Sequence, residues 1–345
     1  MIRLHRLRLR PAALLIALAA AGFSAGAATI NGHAYTPLLT WAGANHFQLT
    51  RNAESDEFTA RSAARKLVFE KDSNIANING VRVALSFPVA VDHGQPLVAD
   101  LDFAKTINPL VAAPSVPARR IRTICLDPGH GGKDAGYHYG AHNEKIYTLA
   151  LARELQAQLQ AAGYKVLITR STDEYVDLPA RPALANRRGA DLFISLHFNC
   201  STIDASRVQG PETYCITPVG ASSSNAQGEG ANHGPAVANR VEQKSLWLAY
   251  EVQHSLVSRL GTEDREVRRA RFAVLRDATM PAILIESGYM SHPVEGRKIF
   301  STAYRRQLAT AILRGIQDYQ RLTVPRAVAA AEKPDLTNAH SPHDL

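Results

Sequence analysis

The 345-residue chain predicts an α/β protein, a doubly wound and mostly parallel sheet with flanking helices, preceded by a small N-terminal α+β domain. Two observations carry that expectation. From residue 121 onward, short runs rich in branched apolar residues alternate with helical patterns, as a sheet with helical crossovers requires. Three of these runs, Ile121 to Leu126, Asp191 to Ile194 and Ala282 to Ile285, have the composition of strands covered on both faces. Each leads into a string that carries chemistry: Asp127-Pro128-Gly129-His130-Gly131-Gly132, Ser195-Leu196-His197-Phe198-Asn199, and Ile285-Glu286-Ser287-Gly288.

In order, residues 121–322 are expected as strand 121–126, helix 143–162, strand 165–169, helix 179–188, strand 191–196, strand 211–217, helix 243–260, strand 272–276, strand 282–286 and helix 299–320. The first helix has Ile146, Leu149, Ala150, Leu151, Leu155 and Leu159 on its apolar side, and Gly163 stops it as a left-handed cap. Val111 to Arg120, with two prolines and no period, is a linker. Before it, residues 28–110 form the small domain. Leu67 to Glu70 and Ala76 to Leu85 are strand-like, the latter turning at Asn79-Gly80. Pro88 to Val91 runs into Asp92-His93-Gly94, and two Pro-Leu segments, Tyr35 to Leu39 and Gln95 to Ala99, look like copies of one element, each followed by a helical stretch. The tail, 323–345, has prolines, scattered charge and no period, and is expected to be disordered.

Two histidines and a glutamate thus stand where three strands end, and ligands bind beyond the carboxyl ends of strands in open α/β sheets. Glu144 joins them. Gly131 to Gly136 is a loop, Asn143 opens the following helix, and the first turn points Glu144 back toward the strand ends. Two imidazoles and a carboxylate make a catalytic zinc set with an open fourth position, and no His-Glu-x-x-His string is present. Taken singly, His130 caps a turn, His197 is a core histidine and Glu144 is a first-turn acid favoured by the helix dipole. Glu286, at the end of an apolar strand, needs a partner or a function to offset its desolvation. His138, His142, His233, His254 and His292 have no strand-end placement.

These strings, with Asn143-Glu144-Lys145, Thr169-Arg170, Arg181, Ala185-Asn186, Gly210-Pro211-Glu212-Thr213, Asp264-Arg265, Phe272 to Arg276 and Ile285 to Ser291, resemble the zinc-dependent N-acetylmuramoyl-L-alanine amidases of type 3, over about residues 120 to 320. Position by position, the resemblance implies zinc ligands at His130, Glu144 and His197 and a catalytic glutamate at Glu286. It implies cleavage of the amide between N-acetylmuramic acid and L-alanine in peptidoglycan. Asn199, Arg170, Arg181 and Arg276 are candidates for holding substrate carboxylates or for supporting the site. A different zinc amidohydrolase or carboxypeptidase, and an inactive wall-binding relative, are the alternatives. The N-terminal domain resembles the small module named after the N-terminal domain of copper amine oxidases, on its Pro-Leu segments and Ile78-Asn79-Gly80; no copper site and no catalysis are assigned to it.

Met1 to Arg10 carries four arginines and no acid, and an apolar run from Pro11 to Ala21 leads to Ala25-Gly26-Ala27. This is the pattern of a secretory signal peptide over residues 1–27, which places the mature protein in the periplasm or cell wall. Its removal would halve the net charge of +8; peptidoglycan, with an activator or wall-associated protein, is the expected partner, with no nucleic acid and no transmembrane segment. Of three cysteines, Cys125 is a buried small residue, while Cys200 and Cys215 flank a short loop and are close enough in sequence to be bridged. Some amidases of this type carry a helical insert that covers the zinc until an activator displaces it. The corresponding stretch here, Gly220 to Asn239, is glycine- and serine-rich, which disfavours a blocking helix and implies an open cleft; Glu229 is the one acid in it placed to reach the metal.

Overall fold

The computed structural model describes residues 15–17, 27–52, 54–112, 120–224 and 234–323. The larger part contains β1 (Thr123–Pro128), α1 (Glu144–Ala161), β2 (Lys165–Ile168), α2 (Ala180–Arg187), β3 (Leu192–Asn199), β4 (Glu212–Cys215), α3 (Glu242–Leu260), β5 (Val267–Arg269), α4 (Ala273–Arg276), β6 (Ala282–Tyr289), α5 (Glu295–Phe300) and α6 (Thr302–Thr323). The strands lie in the order β5-β4-β6-β3-β1-β2. Neighbours are parallel except β4, which runs antiparallel to β6. No helix separates β3 from β4, and a connection that short returns a strand in the opposite sense.

Alternate residues of the central strands feed two cores. Ile124 and Leu126, Leu192, Ile194, Leu196 and Phe198, and Ile283 and Ile285 pack on the face of α1, α3 and α6. Cys125, Phe193 and Leu284 pack on the other, against Ala185 of α2 and Val274 and Leu275 of α4. The sheet is therefore covered on both sides, as the branched apolar runs predicted. Gly163 ends the first helical segment at φ +87°. Ile146, expected on the apolar side of α1, is instead 51% exposed.

One expected strand is a helix. Phe272 to Arg276 looks extended, yet Ala273–Arg276 is the short α4 and the strand lies upstream at Val267–Arg269. Two arginines hide it: the half-buried Arg268 reaches Glu212 (3.2 Å) and the buried Arg269 reaches the carbonyl of Ile216 (3.3 Å), so a strand with a polar sequence is held in the sheet. The C-terminal helix is likewise broken in two at Ser301.

In the N-terminal region the two Pro-Leu segments are strands, His33–Pro37 and Gln95–Ala99, and they pair with each other antiparallel, Leu97 opposite Pro37. Each runs straight into a helix. Asn79 and Gly80 both take positive φ, +49° and +90°, the primed turn of a two-residue hairpin. A meander from Gln48–Asn52 to Val81–Ala84 then meets the larger sheet, where Val83 pairs parallel with Val267 of β5. Leu15–Ala17, within the expected leader, pairs with Gln48–Asn52. One apolar cluster spans both parts, joining Trp41, Phe103, Ile107 and Leu110 to Leu246, Trp247 and Tyr250. Helix continues to Val111, inside the expected linker; residues 113–119, the tail from 324, and Glu229 with residues 225–233 lie outside the described residues. Among the described residues no helix is long and apolar enough to cross a membrane.

Trp247 is 3% exposed and its Nε1 donates to the Pro109 carbonyl across this junction (2.7 Å). Trp247→Ala is expected to destabilise the protein by about 3–5 kcal/mol, read as a lowered midpoint in urea unfolding.

Candidate metal centre

From β1 the chain steps to β2 on one side and then to β3 on the other. The crevice between β1 and β3 is therefore the switch point at which α/β sheets bind ligands, and His130 and His197 stand at its mouth. β1 ends at Pro128, which has no N–H for a ladder. Gly129 follows where a Cβ would collide with the His197 imidazole. His130 then takes φ +62°, and the Gly131–Asp134 bridge closes the loop beneath it.

Glu144 returns to the same point by a hairpin, His138–Tyr139 with His142–Asn143. It is 4% exposed at the first turn of α1. Its Oε1 accepts from the Phe198 N–H (3.1 Å) and faces His197 Nδ1 (3.0 Å). Its Oε2 accepts from the Tyr137 N–H (3.0 Å) and faces His130 Nε2 (3.0 Å). Gly136 makes room, since a Cβ there would lie 2.6 Å from Oε2. One donor atom from each of His130, Glu144 and His197 lies within 4.8 Å of the others. Burial would raise the Glu144 pKa, but hydrogen bonds and charge from the two histidines outweigh it and hold the carboxyl well below the usual range. Burial works against protonation of His130, while Glu144 and Asp134 more than compensate and raise its pKa. Nδ1 of His130 meets Asp134 Oδ2 at 2.9 Å; a carboxylate there accepts a hydrogen bond from Nδ1–H and so favours the tautomer whose Nε2 lone pair faces the centre.

Glu286 sits on β6 directly opposite His197 of β3. Its Oε2 is buried and has no hydrogen-bond partner among the described residues. Burial first, then the charges of Glu144 and Glu212, push its pKa well above the carboxylate range. All four side chains line one cavity of about 500 Å³, with Tyr137, Leu178, Asn199, Cys200, Phe272 and Leu284 among its walls. An N, O, N donor set beside an orphaned carboxylate oxygen fits a divalent cation.

The remaining candidates divide. Asn199 lines the cavity, its Nδ2 donating to the Tyr289 hydroxyl (3.2 Å) and its Oδ1 accepting from the Cys200 N–H (2.8 Å). Arg170 and Arg181 are 1% and 2% exposed. Arg170 binds the carbonyls of Pro128 (3.0 Å), Gly129 (2.8 Å) and Lys145 (2.9 Å). Arg181 binds Asp127 (2.8 Å) and the carbonyls of Pro128 (2.9 Å) and His130 (2.9 Å). Both thus brace the ligand loops from behind and present no free fork to a substrate. Arg276 is exposed on α4 and is not among the cavity residues. Of the other histidines, His142 stacks on Phe300 (3.8 Å) and His292 caps α5 through the N–H groups of Val294 and Glu295 (3.3 and 3.1 Å); neither joins the centre, and His233 lies outside the described residues.

Cys200 and Cys215 are not bridged; all three cysteines are free. β6 lies between their strands, and β4 runs the other way. Through Leu284, Tyr214 is level with Ser195, five residues before Cys200, a rise of about 16 Å against a disulfide reach of about 7 Å. Three residues at the site received no role from the sequence: Asp134, Glu212 and Tyr289. Glu212 is fully buried opposite Glu286 and accepts from the hydroxyls of Tyr214 (2.7 Å) and Tyr289 and from Arg268 (3.2 Å). An acid inside the buried run Glu212–Cys215 was the available signal.

Residues 124–318, more than half of the chain, match the family model described as N-acetylmuramoyl-L-alanine amidase. The chain belongs to that family. It is 34% identical over 223 residues to N-acetylmuramoyl-L-alanine amidase AmiC of Neisseria meningitidis serogroup B, covering 58% of this chain and 53% of the relative. It is 29% identical over 260 residues to N-acetylmuramoyl-L-alanine amidase LytC of Bacillus subtilis, covering 75% of this chain and 43% of the relative. The chain therefore spans about half the length of these relatives. A crystal structure of N-acetylmuramoyl-L-alanine amidase from Clostridium difficile 630 aligns with 31% identity and a TM-score of 0.49 over 59% of this chain and 98% of that one.

Asp134→Ala should leave the fold intact and weaken metal binding by about 10- to 100-fold, measured by titration against a competing chelator.

Proposed function

We propose that the chain is a zinc-dependent hydrolase of the amide between the lactyl group of N-acetylmuramic acid and L-alanine of the peptidoglycan stem peptide. The observation that carries this reading is the convergence of His130, Glu144 and His197 beside the unpartnered oxygen of Glu286. Zinc bound there supplies Lewis-acid polarisation of the scissile carbonyl and lowers the pKa of water to about 7. Glu286 takes the proton of the attacking water and delivers it to the leaving amine. The raised pKa of its buried carboxyl suits proton transfer, and the cation's charge draws it back toward the working range. Asp134 holds the His130 tautomer, and Arg170 and Arg181 fix the carbonyls of the loops that carry the ligands. The N-terminal region, with its resemblance to the copper amine oxidase N-terminal module, is a spacer or wall-docking element. The leader-like start of the chain supports export to the periplasm or cell wall. The glycine-rich composition of Gly220 to Asn239 supports basal turnover without an activator.

Digestion of purified peptidoglycan tests this directly. New L-alanine amino termini on stem peptides, with glycan chains intact, are expected; release of a terminal amino acid would instead identify a carboxypeptidase. The protein should hold one zinc per chain, lose activity to chelator and regain it with added zinc. Metal-independent cleavage would end the zinc reading. Glu286→Gln should retain zinc and fold while losing about 10²- to 10⁴-fold in turnover; loss of zinc in that variant would make Glu286 a ligand.

A further inference from the structure

Among the described residues, the two large aromatic side chains open to solvent are Tyr139 and Tyr175, at 49% and 42%; Tyr139 stands on the hairpin before α1 and Tyr175 on a loop at the carboxyl ends of the strands. Tyr175 lies on the loop from Ser171 to Pro179 that follows β2. Leu178 on the same loop is 51% exposed and lines the cavity itself, so one loop carries both the exposed ring and a wall of the cavity.

The loop is held against the His130 loop. Asp173 Oδ1 accepts from the Gly132 N–H (2.8 Å), and Lys145 Nζ bridges the Gly132 carbonyl and Asp173 Oδ2 (2.8 Å each). Arg181 Nε donates to the Val176 carbonyl (3.0 Å). The two backbones meet at Gly132, where a Cβ would lie 2.7 Å from Tyr175 N. Lys133 Nζ stands 4.3 Å from the ring centroid. An exposed aromatic ring fixed before binding takes the C–H face of a pyranose with little ordering cost, while neighbouring carboxylates accept from its hydroxyls.

Charge selects which half of the substrate lies here. The loop itself carries Asp173, Glu174 and Asp177 with no lysine or arginine; Asp173 is paired with Lys145, which leaves the exposed Glu174 and Asp177 as the acids that face solvent. Stem peptides bear free carboxylates, which these acids repel; the muramyl carboxyl is tied up in the scissile amide, so the flanking sugar rings are neutral. We propose that Tyr175 and Leu178 form a saccharide subsite that seats the ring flanking the scissile muramyl residue, leaving the peptide to the opposite, β6 side of the cleft. The proposal rests on the amidase reading for its substrate, and its test separates the two.

Chitotetraose, a peptide-free β-1,4-linked N-acetylglucosamine oligomer, is titrated into the full chain and followed by NMR. Wild type should bind it, Tyr175→Ala should bind about threefold to tenfold more weakly, and Tyr175→Trp should retain binding. On soluble glycan strands Tyr175→Ala should raise KM by the same factor with kcat unchanged, while cleavage of a muramyl peptide with a single sugar is unaffected. No binding by wild type, or equal binding by wild type and Tyr175→Ala, overturns the subsite. Oligomer binding lost in Tyr175→Ala, in a protein that cleaves no muramyl amide, supports the subsite and overturns the amidase reading alone.

Discussion

The burial of Glu144 between two imidazoles is the constraint on which the rest of the site depends. A carboxylate 4% exposed is tolerated only when its oxygens are occupied, and each of Glu144's oxygens takes one backbone N–H and faces one histidine. Meeting that demand dictates the local chain. The hairpin from His138 to Asn143 must turn the backbone toward the strand ends, β3 must deliver His197 and the Phe198 N–H together, and Gly129 and Gly136 must lack side chains. Arg170 and Arg181 extend the same logic one step outward. Burying a guanidinium costs several kcal/mol, offset here by Asp127, at 2.8 Å from Arg181, and by the carbonyls of the loops that hold His130 and Glu144. Asp127 is itself fixed by Thr169 (2.6 Å) and Ser195 (2.8 Å), so the brace ties β1, β2 and β3 into one frame.

The N-terminal region is built into that frame. Its last strand continues the sheet through Val83 and Val267, Tyr250 donates to the Ile78 carbonyl (2.9 Å), and Arg269 of β5 donates to the Lys105 carbonyl (2.9 Å). Lys105 in turn reaches Glu242 at the start of α3 (2.6 Å). The edge at β5 that the larger sheet would otherwise expose is thereby covered, which removes an aggregation-prone surface.

The parts of the molecule legible in its sequence were those set by local composition. Strands buried on both faces need branched apolar runs, and Pro128, Gly129 and Gly163 mark where elements stop, so β1, β3, β6 and α1 could be placed along with the residues at their ends. The convergence of His130, Glu144 and His197 followed from that placement. What escaped depends on partners far along the chain. β5 is disguised by Arg268 and Arg269, whose partners are the Glu212 carboxylate and the backbone carbonyls of Ile216 and the N-terminal Lys105. The arginines at 170 and 181 left two roles open because only the fold reveals which carbonyls surround them. The proximity of Cys200 and Cys215 in sequence misled because strand order, which inserts β6 between them, is not written in spacing.

Glu212 shows what the arrangement asks of a bound cation. Three buried or half-buried carboxylates, Glu144, Glu212 and Glu286, lie near one face of the sheet, two of them directly opposite across β4 and β6. Glu212 is paired with Arg265 and Arg268, and Glu144 lies against two histidines. Glu286 has no cationic partner among the described residues and an oxygen with no hydrogen bond. Any cation side chain supplied to it would have fixed it as one more structural pair. On the proposed reading, a divalent ion among His130, Glu144 and His197 would supply positive charge at the same place and leave the carboxylate free to accept and release a proton, which a lysine or arginine bonded to it would prevent. Glu212 and Glu286 thus stand opposite each other in unlike states: the first is tightly paired, and the second keeps the unpaired oxygen that the proposed proton transfer requires.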